Sequence, residues 1–170
     1  MVPQIIIPLI TIVGSGVASV LIAFKLNARK DEKQYLRLKL EELNLALIRY
    51  CAQLNADFYP YSSAMAGKIT YNQALDIIIN SKVSDMEIDK ILMILNLYFP
   101  HLKFYFERIQ KAKSLALDVT KDFKNYYQNI DSSSEKHYKA IRDAFDLLDE
   151  WEKKFLEVIQ LEATKINKRW

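Results

Sequence analysis

Residues 36–58, LRLKLEELNLALIRYCAQLNADF, decide the fold. Leu36, Leu40, Leu43, Leu47, Cys51, Leu54 and Phe58 recur at steps of three and four, which places them along one side of an α-helix. A helix with one apolar stripe must bury it against other elements, so the rest of the chain has to supply partners.

Downstream, Pro60 disfavours the helical conformation at Tyr59, and Gly67 offers a C-terminal stop. The first helix is therefore predicted to end near Tyr59. Two shorter helices follow. Thr70 and Gln73 form a capping box before YNQALDIIINS, and Ser84 and Glu87 form a second, with Val83 and Ile88 as its hydrophobic staple. The second short helix should end at Phe99, because Pro100 follows and fits the first turn of the next one.

Beyond Pro100 a long stripe runs through Leu102, Phe106, Ile109, Ala112, Ala116, Val119, Phe123, Tyr126 and Ile130. The segment DSSSE breaks it, and Ser132 with Glu135 is predicted to cap a last helix whose stripe runs from Tyr138 and Ile141 to Ile166. No segment keeps the strand period for long. The fold class is all-α: an antiparallel, coiled-coil-like bundle of three long helices, with the two short ones covering one end.

Upstream, residues 5–24 carry no charge, and about 20 residues at about 1.5 Å each reach roughly 30 Å, the thickness of a bilayer's hydrocarbon core. MVPQ has no basic side chain and Phe24-Lys25 is no cleavage site, so a removed signal is disfavoured. The expectation is a transmembrane helix over residues 1–24, a basic juxtamembrane segment over 25–34 and a helical bundle over 35–170. Lys25, Arg29, Lys30 and Lys33 crowd the C-terminal flank, which predicts a single-pass protein of a bacterial inner membrane, N-terminus outside and bundle in the cytoplasm. The same four residues are candidate contacts to anionic lipid head groups. Gly14, Ser15, Ala18 and Ser19 are candidate span-packing residues, their small side chains permitting close helix approach in lipid. In this geometry the DSSS turn lies beside the membrane and Trp170 far from it.

Composition narrows the chemistry. With 24 Lys+Arg against 21 Asp+Glu the net charge is +3, and much of the excess flanks the apolar run, so nucleic acid is a poor partner. Cys51 is the one cysteine, which excludes an internal disulfide. Glycines stand only at Gly14, Gly16 and Gly67, too few for a phosphate-binding loop. The two histidines, His101 and His137, lack the Glu-x-x-His spacing of a bundle metal site. Cys51 falls on a buried stripe and reads as a small hydrophobe, and His101 as a helix-boundary residue. Asp143, Asp146, Asp149 and Glu150 read as a solvated face, paired to Lys153 and Lys154. The sequence thus gives no catalytic constellation, metal or cofactor.

One cluster points to binding. Tyr98, Phe99, Phe104, Tyr105 and Phe106 are more aromatics than one helical face can bury, and form a candidate partner patch. The functional expectation is an accessory, regulatory or scaffold subunit acting by protein–protein interaction with another membrane or cytosolic protein, or with itself. The alternative is an oligomerising membrane effector, toxin-like or anti-phage, that perturbs the bilayer through its span.

Overall fold

The computed structural model describes the backbone of residues 3–81, 86–130 and 133–168, and side chains over 23–80, 87–130 and 133–168. Among the described residues there are five α-helices: α1 (Pro3–Met65), α2 (Tyr71–Ser81), α3 (Met86–Leu97), α4 (Lys103–Ile130) and α5 (Glu135–Lys168), with a 3₁₀ turn at Pro100–Leu102.

The first helix is longer than predicted. Pro60 lies inside α1, where it has no N–H to give the helical ladder, yet the helix continues to Met65. Burial of Pro60 itself and of Ser62, Ala64 and Met65 just beyond it offsets the missing bond. The helix closes at Gly67, whose φ of +71° is open to glycine at little cost. Gly67 N donates to Ala64 O and Lys68 N to Ser63 O, the paired bonds of a Schellman cap.

Direction can be read from contacts at the ends. Lys33 Nζ donates to Asn167 O at 2.9 Å, and Ser134 N donates to Met65 O at 3.0 Å, so α5 runs antiparallel to α1. His101 meets Glu162, so α4 starts where α5 ends and runs parallel to α1. Tyr71 packs on Phe123 and Tyr127 at the Met65 end, whereas Tyr98 reaches Tyr35 at the Lys33 end. The short helices α2 and α3 therefore form one broken rod that returns along α1. The bundle is up-down-up-down with four rods, the second interrupted, rather than three long helices with a pair covering one end. The turn before α5 accordingly lies beside Met65 and Gly67, and α5 ends back beside Lys33, which reverses the predicted placement of the two ends.

The expected anchor is also corrected: no helix among the described residues is long and apolar enough to cross a membrane. From residue 23 onward α1 is charged at Lys25, Arg29, Lys30, Asp31, Glu32 and Lys33, too densely for a span. The side chains of the earlier part of the predicted span, those of Gly14, Ser15, Ala18 and Ser19 among them, lie outside the described residues. Single-pass inner-membrane placement, the N-outside topology, lipid as a partner and the bilayer-perturbing effector all rested on that span and are withdrawn with it.

The stripes themselves form the core. Leu40, Leu43, Leu47, Cys51, Leu54 and Phe58 of α1 are buried, facing Phe106, Ile109 and Phe123 of α4 and Ile141, Leu148, Phe155 and Ile166 of α5. At full burial each large side chain contributes about 1.5–3 kcal/mol. The Thr70–Gln73 capping box is formed, with Thr70 N donating to Gln73 Oε1 at 2.8 Å and Gln73 N to Thr70 Oγ1 at 3.2 Å. The Ser84 and Ser132 caps fall outside the described residues. At α5 the capping serine is Ser134, whose Oγ accepts from His137 N at 3.5 Å.

Candidate functional site

The predicted aromatic patch is divided by the fold. Phe99 and Phe106 are each 2% exposed and belong to the core, Phe106 against the ring of Tyr50. Tyr98 shares a 2.8 Å hydroxyl hydrogen bond with Tyr35, and Tyr105 stacks on Phe155. Only Phe104 stays largely outside, 48% exposed. It does not stand alone. Its ring meets Trp151 edge-on at 6.0 Å, and the Arg108 guanidinium lies 4.8 Å from the Phe104 centroid and 5.4 Å from that of Trp151. Lys154 Nζ sits 4.6 Å from the Trp151 centroid. Helix spacing brings each pair together, Phe104 with Arg108 one turn on and Trp151 with Lys154 likewise, while the α4–α5 register joins the pairs. Trp151 is half-buried on α5 and forms one edge of this surface.

The four basic residues assigned to lipid have other surroundings. Lys25, Arg29 and Lys30 are exposed on the part of α1 that precedes the bundle. Lys33 satisfies a carbonyl of the last turn of α5, where a cation also complements the helix dipole.

The groups most able to do chemistry are held in structural roles. Burial pushes the Cys51 thiol upward, and the neighbouring Glu152 carboxylate adds to the shift, the direction opposite to that of a reactive thiolate. Glu152 is itself raised, by burial first and by Asp149 second. His101, which showed no partner in the sequence, has its Nε2 3.3 Å from Glu162 Oε2, and Lys165 Nζ lies 3.1 Å from the same oxygen. Burial alone would raise Glu162, but the hydrogen bonds from Lys165 and His101 outweigh it and hold the carboxyl below its ordinary value. Asp143, Asp146, Asp149 and Glu150 are exposed, and Glu150 pairs with Lys154. Among the described residues no three His, Cys, Asp or Glu side chains group to hold a metal ion.

A cleft of about 690 Å³, unannounced by any sequence pattern, lies between α1, the α2–α3 rod and α4. Leu54 and Phe58 form its floor, with Ile78 and Ile88 on one wall and Leu117 on the other. Arg49, Glu87 and Lys113 stand towards one end and Asp57 with Tyr61 towards the other. Arg49 pairs with Glu87 at 3.5 Å, and Asp57 accepts from Gln53 Nε2 at 2.7 Å. Burial raises the Tyr61 hydroxyl above its usual range, with a smaller contribution from Asp57, so it stays protonated as a donor. No protein-family model, no curated protein and no solved structure matches this chain.

Proposed function

We propose that this chain is a protein-binding module without catalytic activity, and that it binds through the α4–α5 surface built from Phe104, Arg108, Trp151 and Lys154. The supporting observation is the guanidinium of Arg108 lying over both Phe104 and Trp151 while Phe104 remains 48% exposed. Exposed aromatics cost solvation in the free protein, and Trp and Arg held in fixed geometry are the residues that dominate protein–protein binding energy. The cations stacked on the rings fix the side chains in advance, so little further ordering is needed when a partner closes over them. A raised thiol at Cys51 and a His101 committed to Glu162 favour binding over nucleophilic or acid–base chemistry.

Placing a photocrosslinking amino acid at position 104, and at the exposed control position Lys124 on the same helix, tests this reading. A defined protein adduct, with another chain or a second copy, is expected from 104 and not from 124. Phe104→Ala should weaken that complex about 30-fold or more. Adducts at both positions alike, or a complex untouched by Phe104→Ala, would remove the surface from consideration.

A further inference from the structure

The cleft carries an inference independent of that surface. Its volume of about 690 Å³ falls within the usual range for small-molecule sites, roughly 300–1,000 Å³. Its middle is apolar, from Leu54 and Phe58 on the floor to Leu117, which is 48% exposed, on the α4 wall. Two cations line it. Arg49 is paired with Glu87, whereas Lys113 has no carboxylate in ion-pair range among the described residues. Lys113 is half-buried, and its ammonium rests 5.6 Å from the centroid of the buried Tyr50 ring. An ammonium held beside a ring, with no carboxylate in ion-pair range among the described residues, is favourably completed by an anion.

The other end has the opposite sign. Asp57 has no cation in ion-pair range among the described residues, and Tyr50 to Asp57 spans about 10 Å of helix rise. A ligand anionic at both ends would meet repulsion at Asp57, and a cationic head would have to compete there with Gln53, which already donates to the Asp57 carboxylate at 2.7 Å. The arrangement fits a molecule with one negative head and one extended apolar body.

We infer that the cleft binds an amphiphilic monocarboxylate, its head against Lys113 and its apolar body along Leu54, Phe58, Ile78 and Leu117. Dodecanoate and dodecyltrimethylammonium, each below its micelle concentration, and dodecanol below its solubility limit are the probes, titrated calorimetrically into the full chain. Dodecanoate should occupy one saturable site and bind more tightly than the other two. Lys113→Glu should weaken it about tenfold, and Lys113→Arg should retain it. Leu117→Trp fills the cleft from a half-exposed position that the fold tolerates, and should weaken dodecanoate at least as much with the circular dichroism spectrum unchanged. Absence of a saturable site would overturn the inference. So would equal binding of the cationic probe, or binding that survives both Lys113→Glu and Leu117→Trp, which would place uptake elsewhere, for instance on the apolar run at residues 5–24.

Discussion

Replacing Glu162 by Gln removes the charge from a carboxylate that joins the last turns of α5 to the turn before α4. The Glu162 side chain is 8% exposed, while its donors His101 and Lys165 are 53% and 65% exposed. The cost of desolvation therefore falls mainly on the carboxylate, and its two donors compensate it. A hydrogen bond to a charged group contributes about 1.5–3 kcal/mol, and the open positions of both donors reduce this towards the surface value. Gln keeps the shape and one acceptor, so the expected loss is about 1–2 kcal/mol. In a chain of this size that lowers the melting midpoint by about 2–8 °C. The pH dependence follows from the direction of the shift. Glu162 is held below its ordinary value of 4.5, so its contribution is complete above that pH and lost as pH falls through the lowered value. Thermal melts followed by far-ultraviolet circular dichroism should show a gap between wild type and Glu162→Gln that is full near pH 7 and closes on acidification below the ordinary carboxyl value. His101→Ala should produce part of the same loss, and the double variant less than the sum of the two. A Glu162→Gln protein that melts at or above wild type near neutral pH, or a gap indifferent to pH, would refute the assignment of Glu162 as a compensated anion.

Three further outcomes test the packing. Gly67→Ala should cost about 1–2 kcal/mol in denaturant unfolding, because φ is +71° there and a new Cβ would lie 3.1 Å from Ser133 Cβ. Phe123 is fully buried among Tyr71, Tyr126, Tyr127 and His137, so Phe123→Ala should cost about 3–5 kcal/mol, and a loss under about 1 kcal/mol would show that the Met65 end of the bundle is not packed as described. Glu152→Gln should have the opposite sign to Glu162→Gln: the wild-type carboxyl is raised by burial, so its ionised form opposes folding above the raised value, and the variant should melt higher near pH 7 and converge with wild type as the native carboxyl takes up its proton in acid.

Local order was legible in the sequence to the extent that it depends on neighbours in the chain. The stripes of α1, α4 and α5, the Thr70–Gln73 box and the Gly67 stop are each decided within one or two helical turns, and most of these side chains lie where those rules put them, Ile130 at the end of α4 being exposed instead. Pro60 misled because the local penalty against helix was outweighed by burial of the turn beyond it, a tertiary gain that no window contains. Ser134 caps the start of α5, and its N–H also donates to the carbonyl of Met65, a contact between residues distant in sequence. The aromatic run from Tyr98 to Phe106 showed an excess of rings but not which would stay outside. That depended on the register that brings Trp151 to Phe104. Glu162 gave no signal, since it lies one residue before Ala163 on a stripe that reads as wholly apolar. The membrane anchor shows the limit of composition: hydropathy over residues 5–24 fits a bilayer thickness, but among the described residues no helix is long and apolar enough to cross one.

The cleft and the topology have a common origin. A long helix in place of the α2–α3 rod would fill its groove along its whole length, as α5 does against α1 and α4. Its place is taken by two short helices, α2 ending at Ser81 and α3 starting at Met86. The rod's ends are held, by Tyr71 against Phe123 at one end of the bundle and by Tyr98 against Tyr35 at the other. Between these two points α2 and α3 lean on α1, with Arg49 reaching Glu87 across the seam, and the side facing α4 opens into the cleft. Closing it would require larger side chains at Ile78, Ile88 or Leu117. A bundle selected for stability alone would gain from such filling, at about 0.8 kcal/mol per methylene newly buried. A half-buried lysine with no carboxylate in ion-pair range among the described residues, lining that unfilled space, is a second departure from stability in the same location. Two such departures at one interface are expected of a binding site, where packing and charge balance are completed by the ligand.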